Sequence, residues 1–276
     1  MNPAYRSHFL SARDGLRLHV REYGTETANS TPVVCLPGLA RTSADFDTLA
    51  RALTAETAPP RRVLAIDYRG RGRSDYDPDW AHYEIKTELD DVLSMMAALG
   101  VPEAIIVGTS RGGLITMAMA PIRPTAIKGV VLNDIGPVID AQGLIRIRGY
   151  VGKLPAPADW VQAANILKRN FGAQFPALDA AGWDGYARRT WKEVESAGKL
   201  TLVPDYDIAL MKTLAVLDLE APMPVLWPLF EALSHAPMLV LRGAHSDLLS
   251  QTTLVQMVER HPRCAAYTVE IGRAHV

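Results

Sequence analysis

The segment Ile105–Gly113, IIVGTSRGG, decides the fold of this chain. Its apolar start ends in Gly108-Thr109-Ser110-Arg111-Gly112 and the apolar run LITMAMA follows, which predicts a strand, a tight turn and a helix. The glycines two residues before and two residues after Ser110 remove side chains that would collide across the turn. The turn then projects the serine hydroxyl above the sheet and leaves the backbone N–H of Arg111 free to face a developing oxyanion.

The same alternation of strand and helix extends in both directions from this segment. Residues 7–23 predict two short strands around the turn Arg13-Asp14-Gly15. The other predicted strands are TPVVCL, RRVLAID, IKGVVLND, PMLVLRG and AAYTVEI, and the other predicted helices are YEIKTELDDVLSMMAALG and SQTTLVQMVERH. This order predicts an α/β fold with a mostly parallel, doubly wound sheet covered by helices on both faces. Ligands of such sheets bind outside the carboxyl ends of the strands.

Residues 137–233 interrupt this order, and their sequence predicts successive helices, among them ADWVQAANILKRNF, DGYARRTWKEVESA and YDIALMKTLAVLDL. We expect an inserted helical cap over the carboxyl edge of a core formed by residues 1–136 and 234–276. Aromatic residues at helical spacing mostly pack against their neighbours, so we expect the tryptophans of this segment to pack the cap. They are Trp160, Trp183, Trp191 and Trp227.

Composition and charge exclude several classes of protein. A net charge of −1 gives no electrostatic case for nucleic acid or an anionic membrane as the main partner. No secretory signal and no apolar run approaching the roughly 20 residues of a membrane helix is visible, so we expect a soluble cytoplasmic protein. Cys35 and Cys264 form no CxxC or metal-binding pattern, so we expect two buried thiols. We also expect neither a metal nor an organic cofactor.

Four pieces of the chain, LPGLA, DYRGRGRSD, GTSRGG and LRGAHSD, resemble in order and spacing the α/β-hydrolase fold family, in particular esterase-like serine hydrolases with a helical cap. The resemblance implies that Ser110 is the nucleophile and that the backbone N–H groups of Leu39 and Arg111 form the oxyanion hole. Many members carry His-Gly where this chain has Pro37-Gly38, but a backbone donor does not need that histidine. The resemblance also assigns a set of residues to a structural loop behind the oxyanion site: Arg69, Gly70, Gly72 and Ser74.

The same family order places an acid and then a histidine after the nucleophile. Asp247, just after the strand PMLVLRG, is the expected acid; Asp134, at the end of VVLND, is the alternative. His275 follows the last strand and is the expected base. His261 lies at the end of a predicted helix, so we expect it at the surface or at the helix carboxyl terminus.

The resemblance also implies a further helix after the histidine, so we expect that helix to be missing from this chain. The last six residues, IGRAHV, are what ATC GGA AGA GCA CAC GTC encodes, and this DNA is part of a short-read sequencing adapter. We therefore hypothesise that the native sequence continues differently after Glu270.

The expected reaction is hydrolysis of a carboxylic ester, or of a related acyl compound such as a lactone, through an acyl-enzyme with a small-molecule substrate. Two enzymatic alternatives use the same triad: amide hydrolysis and carbon–carbon bond hydrolysis. A third alternative is a non-catalytic small-ligand binding protein of the same fold, which applies if a catalytic histidine is absent.

Overall fold

A mixed eight-stranded sheet in the order β1-β2-β4-β3-β5-β6-β9-β10 forms the centre of the protein. The computed structural model describes residues 5–26, 30–55, 57–196 and 198–270. The strands of the sheet are β1 (Arg6–Ser11), β2 (Arg17–Tyr23), β3 (Val33–Leu36), β4 (Val63–Asp67), β5 (Ala104–Thr109), β6 (Ile127–Asn133), β9 (Met238–Gly243) and β10 (Cys264–Val269). Strand β2 pairs antiparallel with both of its neighbours, and the other pairs are parallel. The predicted α/β class and doubly wound sheet are confirmed.

The central strands are buried on both faces, as their sequences require. Every residue of β3 and β4 is buried, which is the pattern of a parallel strand covered by helices on each side. The register aligns Leu36 of β3 with Gly108 of β5, and Thr109 of β5 with Asn133 of β6. The loops after these three strands therefore leave the sheet at one edge.

Helices cover both faces of this sheet. They are α1 (Asp47–Ala55), α2 (Ile85–Ala98), α3 (Arg111–Met119) and α9 (Gln251–Arg260). Helix α2 buries the apolar face that its periodicity predicts, including Leu89, Val92 and Met96. Helix α1 had no counterpart among the predicted elements, although its apolar residues lie on one face; only Ala50 of its nine residues is buried.

Residues 137–233, which we call the insertion, lie between β6 and β9. Their helices are α4 (Ala141–Tyr150), α5 (Trp160–Phe171), α6 (Ala180–Arg188), α7 (Leu210–Ala215) and α8 (Trp227–Glu231). The prediction of helices alone was wrong, because β7 (Trp191–Ser196) and β8 (Lys199–Pro204) form an antiparallel hairpin. The predicted helix DGYARRTWKEVESA ends as α6 and continues as a strand, because Lys192–Glu195 pairs with residues across the hairpin.

Most of the tryptophans of the insertion form its own small core. Trp183 and Trp191 are buried there with Phe171 and Phe175, and Trp160 packs against the same cluster. This confirms the packing role predicted for these three side chains. Trp227, on α8, is not part of this cluster. It packs with Phe230 against the main core of the sheet.

A short segment of the insertion, the strap (residues 205–207), is bound to the loop that follows β4. The N–H of Gly72 donates to the carbonyl of Asp205 at 2.9 Å, and the N–H of Asp207 donates to the carbonyl of Gly70 at 2.7 Å. Gly70 and Gly72 adopt φ values of +73° and +55°, a region that favours glycine. The insertion is thus attached to the core by main-chain hydrogen bonds as well as by its two connections.

Two further predictions from the sequence concern the cysteine thiols and membrane-spanning helices. Cys35 on β3 and Cys264 on β10 are free thiols; Cys35 is buried as predicted, but Cys264 is only partly buried, because β10 is the edge strand of the sheet. Burial raises the pKa of the Cys264 thiol to about 11 and that of Cys35 further. Among the described residues, none of the helices combines the length and the apolar character that a membrane span requires.

Candidate active site

Ser110 occupies the sharp turn between β5 and α3. Its φ of +50° and ψ of −109° are rare for a residue with a side chain, and such a conformation costs about 1–3 kcal/mol. Two hydrogen bonds keep the chain in this conformation: Ser110 N–H donates to the Asn133 carbonyl at 3.0 Å, and Gly113 N–H donates to the Ser110 carbonyl at 2.9 Å. The strain is therefore maintained by β6 on one side and by α3 on the other.

The glycines of this turn have the steric role that the sequence predicts. A Cβ on Gly108 would lie 2.6 Å from the carbonyl oxygen of Gly112, and a Cβ on Gly112 would overlap the carbonyl oxygen of Leu36. Both distances are far inside normal van der Waals contact. Strand β5, helix α3 and strand β3 approach this closely only because both positions lack side chains.

The loop after β3 lies beside the serine. A Cβ built on Gly38 would be 3.9 Å from Ser110 Cβ, and Leu39 lines the same two cavities as Ser110. The carbonyl of Leu39 accepts a hydrogen bond of 2.8 Å from Arg71 Nε. Leu39 and Arg111, the predicted oxyanion donors, therefore flank Ser110 on the two segments where the sequence places them.

A buried carboxylate links these two segments. Glu88, on α2, accepts hydrogen bonds from Arg71 Nη1 at 2.7 Å and from Arg111 Nε at 2.5 Å, and it has no solvent exposure. Burial by itself would raise the pKa of the Glu88 carboxyl, but the two guanidiniums outweigh it and hold that pKa below its ordinary value. Arg71, which also contacts Leu39, thus connects the loop after β3 to the turn at Arg111.

The loop after β4, assigned by the resemblance to a structural loop with Arg69, Gly70, Gly72 and Ser74, is held by several side-chain hydrogen bonds. Arg69 binds Asp91 through two hydrogen bonds of 2.7 and 2.8 Å and Asp77 through one of 2.6 Å. The Ser74 hydroxyl donates to the carbonyl of Asp67 at 2.7 Å. These residues hold the loop in place and do not line the cavities at Ser110.

Asp134, the alternative acid, is almost completely buried at the end of β6. It has a φ of +54°, and one of its carboxylate oxygens accepts a hydrogen bond of 3.3 Å from the N–H of Gly243. Its own N–H donates to the carbonyl of Leu241 at 2.8 Å. Asp134 therefore joins the carboxyl ends of β6 and β9.

Asp247, the expected acid, lies in the loop after β9 and contacts the insertion. Arg146 on α4 donates to both of its carboxylate oxygens, through Nε at 2.8 Å and Nη2 at 3.2 Å. The Asp247 side chain is 26% exposed. Asp247 is therefore more accessible than Asp134 and is held at the boundary between core and insertion.

The histidines divide according to their surroundings. His275, the expected base, lies outside the described residues. His261 caps the carboxyl end of α9, which is the predicted helix-terminal position, but it is buried and not at the surface, with its ring Nε2 3.1 Å from the carbonyl of Leu233. Burial lowers the pKa of its imidazole. His245, close to Asp247 in sequence, is exposed and lines neither of the cavities described next.

Two cavities meet at Ser110. The larger, which we call the aliphatic chamber, has a volume of about 590 Å³ and is lined mainly by aliphatic side chains, including Ile139, Leu144, Leu214 and Leu229. The smaller, the polar chamber, has a volume of about 90 Å³. Its lining combines apolar side chains, among them Leu154, Leu167, Phe171 and Phe175, with three groups of polar or aromatic residues: the charged Arg41, Asp45 and Arg146, the polar Gln174 and Thr190, and the tyrosines Tyr150, Tyr186 and Tyr206. Ser110, Leu39, Ile147 and Leu248 border both chambers.

One group of acidic and imidazole ligands lies elsewhere. The ligand atoms of Asp14, Asp77 and His82 are within 4.8 Å of one another. Arg69 Nη1, however, binds Asp77 at 2.6 Å and Asp14 at 2.8 Å. These carboxylates therefore neutralise a guanidinium, and this group does not have the character of a metal centre.

Comparison with known proteins agrees with this geometry. A family model of the alpha/beta hydrolase fold matches residues 31–181, more than half of the chain. The chain belongs to the alpha/beta hydrolase fold family. A 3-hydroxybutyrate-oligomer hydrolase of Cupriavidus necator is 32% identical to this hydrolase over 262 residues, which cover 94% of this chain and 87% of the relative.

Two further proteins extend the likeness. An alpha/beta hydrolase from Novosphingobium aromaticivorans, solved by crystallography, shares 38% identity with a TM-score of 0.88, and the match covers 98% of this chain and 92% of that one. The mouse sn-1-specific diacylglycerol lipase ABHD11 is 37% identical over 106 residues, only 38% of this chain and 33% of the relative. The first likeness thus extends over nearly the whole hydrolase, whereas the second is limited to a part.

Sequence reasoning missed three charged groups of this hydrolase: Glu88, the pair Arg41 and Asp45, and Arg146. Glu88 did carry a signal, because it stands on the predicted apolar face of α2, between Ile85 and Val92 in helical spacing. A carboxylate on such a face implies a buried cationic partner. Arg41 and Arg146 gave no such signal in the sequence, because arginines in a loop and on a short helix are usually exposed to solvent.

Proposed function

We propose that this alpha/beta hydrolase is a serine hydrolase that cleaves a carboxylic ester through an acyl-enzyme intermediate. The observation that carries the proposal is the position of Ser110, which stands in a strained turn where two chambers of different chemistry meet. An ester has an acyl half and an alcohol half on either side of the scissile bond. A nucleophile placed between two chambers can attack that bond while each chamber holds one half. The insertion serves as a cap over a core of residues 1–136 and 234–276, and closes both chambers.

The proposed reaction uses the side chains in the family order. Ser110 Oγ attacks the ester carbonyl while a histidine, assigned to His275 by position, accepts the hydroxyl proton and passes it to the leaving alcohol. Asp247 orients that histidine and stabilises its protonated form. The N–H groups of Leu39 and Arg111 bind the tetrahedral oxyanion, and a water molecule activated by the same histidine then releases the acid.

The similarity to the Cupriavidus hydrolase supports an ester as the substrate, because the bonds of a 3-hydroxybutyrate oligomer are esters. Such oligomers are therefore substrates to test first, beside generic short-chain esters. Lactones, amides and carbon–carbon bonds are the alternatives that the same residues would serve.

The test combines a fluorophosphonate probe with hydrolysis of p-nitrophenyl butanoate. We expect labelling and turnover in the parent protein, their loss in Ser110→Ala, and their retention in Ser234→Ala, whose serine is exposed on the protein surface. Turnover that survives in Ser110→Ala would refute the proposal. Ligand binding without labelling of the parent protein would favour the non-catalytic alternative, and unchanged turnover in His275→Ala would remove His275 from the mechanism.

A further inference from the structure

The polar chamber contains a buried guanidinium that the ester reaction described above does not use. Arg41 follows Gly38 and Leu39 in the loop beside Ser110, and its side chain is only 19% exposed. It lies over the ring of Tyr186, with its central carbon 4.8 Å from the ring centre. The group therefore faces the space next to the reacting serine instead of solvent.

The carboxylate that pairs with Arg41 is shared with a second guanidinium. Arg41 forms a two-pronged ion pair with Asp45, in which Nε and Nη2 donate at 2.7 and 2.5 Å. Arg189 Nε lies 3.4 Å from the same carboxylate. Two guanidiniums thus share one carboxylate, but only Arg41 and Asp45 line the chamber, whereas Arg189 lies outside its lining and is 30% exposed. The other cation that lines the chamber, Arg146, is paired with Asp247.

Burial and ion pairing act in opposite directions on Arg41. Burial alone would lower the pKa of its guanidinium, but the nearby Asp45 carboxylate raises that pKa above its ordinary value. Arg41 therefore carries its positive charge at neutral pH. In a region of low solvent access, a fixed charge attracts an anion more strongly than it would in water.

Arg41 also keeps hydrogen-bonding capacity for a ligand. A guanidinium has five N–H groups, and the contacts of Arg41 with Asp45 and with Thr190 Oγ1, the latter at 2.9 Å, engage three of them. The remaining two make no hydrogen bond within the described part of the chain. A ligand that reaches these two N–H groups can therefore be bound without breaking the ion pair.

We propose that the polar chamber binds a carboxylate carried by one half of the ester substrate, and that Arg41 is the residue that recognises it. This assignment rests on the proposed ester hydrolysis, and it names the substrate class: esters of short acids or alcohols that end in a carboxylate. Because Asp45 is shared between two guanidiniums, Arg41 can still attract a second carboxylate, and the volume of about 90 Å³ suits a short anionic group. The uncharged half of the ester occupies the aliphatic chamber.

Two matched pairs of esters test the proposal in the parent protein. The butanoyl ester of glycolate and that of glycolamide place a carboxylate or a neutral amide on the alcohol half, and ethyl succinate monoester and ethyl succinamate place them on the acyl half. We expect kcat/KM to favour the carboxylate over the amide by about tenfold or more in at least one pair, the effect of a charge-assisted hydrogen bond. Equal or lower kcat/KM for the carboxylate in both pairs overturns the proposal without any variant.

The variant Arg41→Gln identifies the residue responsible. We expect it to reduce the preference for the carboxylate by about tenfold, whereas Arg188→Gln keeps it, because Arg188 is exposed and pairs with Asp184. The preference is a ratio measured on one preparation, so a lower fraction of folded protein does not change it. An unchanged ratio in Arg41→Gln overturns the role of Arg41.

Binding without turnover separates this proposal from the proposed reaction. Ser110→Ala protein is titrated calorimetrically with butanoyl glycolate and with its amide counterpart. Tighter binding of the carboxylate, lost when Arg41→Gln is added, supports the anion site even if Ser110 proves not to be the nucleophile. Equal binding of both esters counts against the anion site even if Ser110 is confirmed as the nucleophile.

Discussion

Glu88 and Arg111 are joined by a hydrogen bond of 2.5 Å between Glu88 Oε2 and Arg111 Nε, with no solvent access to the carboxylate. The other oxygen of Glu88 accepts from Arg71, whose Nε donates to the carbonyl of Leu39. One carboxylate therefore fixes the relative position of the two segments proposed to donate to the oxyanion. Oxyanion stabilisation depends on donors placed in advance, so this network affects the proposed chemistry without touching substrate.

Glu88→Gln tests this network. The substitution keeps the shape of the side chain but removes the charge shared by Arg71 and Arg111, so we expect kcat for p-nitrophenyl butanoate to fall by about tenfold or more. Breaking a buried charge pair is also expected to lower the free energy of unfolding by about 3 kcal/mol. Urea denaturation and steady-state kinetics measure the two effects. Glu103→Gln, at an exposed ion pair with Lys128, is the control and is expected to change neither; a kcat in Glu88→Gln equal to that of the control would contradict the prediction.

The same carboxylate predicts how stability depends on pH. The Glu88 pKa is lowered in the folded protein, whereas in the unfolded chain it lies near about 4.3. The folded state therefore favours the ionised form, and this contribution is complete above the unfolded pKa and is lost as the pH falls through the folded pKa. We expect the free energy of unfolding of the parent to fall more steeply below about pH 4.3 than that of Glu88→Gln. Parallel curves for the two proteins, measured by urea denaturation from about pH 7 to about pH 3, would exclude this role.

Two carboxylates compete for the role of the catalytic acid, and their environments predict different outcomes. Asp247→Asn is expected to reduce kcat by about 10,000-fold, because an amide cannot hold the required histidine tautomer or stabilise its charge. Asp134→Asn is expected to act mainly on stability, because Asp134 joins β6 to β9 through the N–H of Gly243. Kinetics corrected for the folded fraction distinguish them. If Asp134→Asn lowered kcat more than Asp247→Asn does, Asp134 would be the catalytic acid.

Arg146 lies close enough to Asp247 to influence the histidine that Asp247 is proposed to orient. Its positive charge disfavours the protonated form of that histidine, so in Arg146→Ala we expect the acid limb of the kcat/KM profile to move to higher pH by about half a unit or more. Loss of the two hydrogen bonds to Asp247 is also expected to lower kcat. Arg148→Ala, on the same helix, is the matched control. An acid limb at the same pH in both variants would show that Arg146 only joins the insertion to the core.

Substitution by alanine is expected to have opposite effects on stability at two glycines that both lie in helices, Gly112 and Gly149. Gly112→Ala places a methyl group against the Leu36 carbonyl, so we expect loss of activity and a strong loss of stability. Gly149, on α4, has no heavy atom within 4 Å of a built Cβ, so Gly149→Ala is expected to stabilise the protein by about 0.5–1 kcal/mol. Thermal and urea denaturation check both. A Gly112→Ala protein with normal activity would mean that the turn at Ser110 is looser than this structure shows.

The sheet and its turn at Ser110 were predictable because their signals are local. The apolar runs of β3 to β6 mark buried strands, and the spacing of Gly108 and Gly112 around Ser110 has one steric explanation. The hairpin of β7 and β8 was not predictable in this way. Its residues, Lys192 to Glu195, favour a helix by composition, and only pairing with β8 makes them a strand.

The charged groups of the site depend on contacts between distant parts of the chain. Arg41 meets Thr190, and Arg146 meets Asp247, across more than 100 positions in each case. No local pattern specifies such partners, because an arginine carries the same signal whether it faces solvent or a buried carboxylate. For this reason the sequence predicts the nucleophile from one segment, whereas the polar chamber becomes visible only when the segments are assembled.

The attachment of the strap to the loop after β4 bears on how the hydrolase can diversify. Backbone atoms of Gly70 and Gly72 make the contacts with residues 205–207, and Arg71 and Tyr206 are paired as a β-bridge at the same place. Main-chain bonds tolerate changes of side chain at the strap. Substitutions elsewhere in the insertion can therefore remodel the walls of both chambers while this anchor stays in place, so that new substrate preferences can evolve without rebuilding the junction.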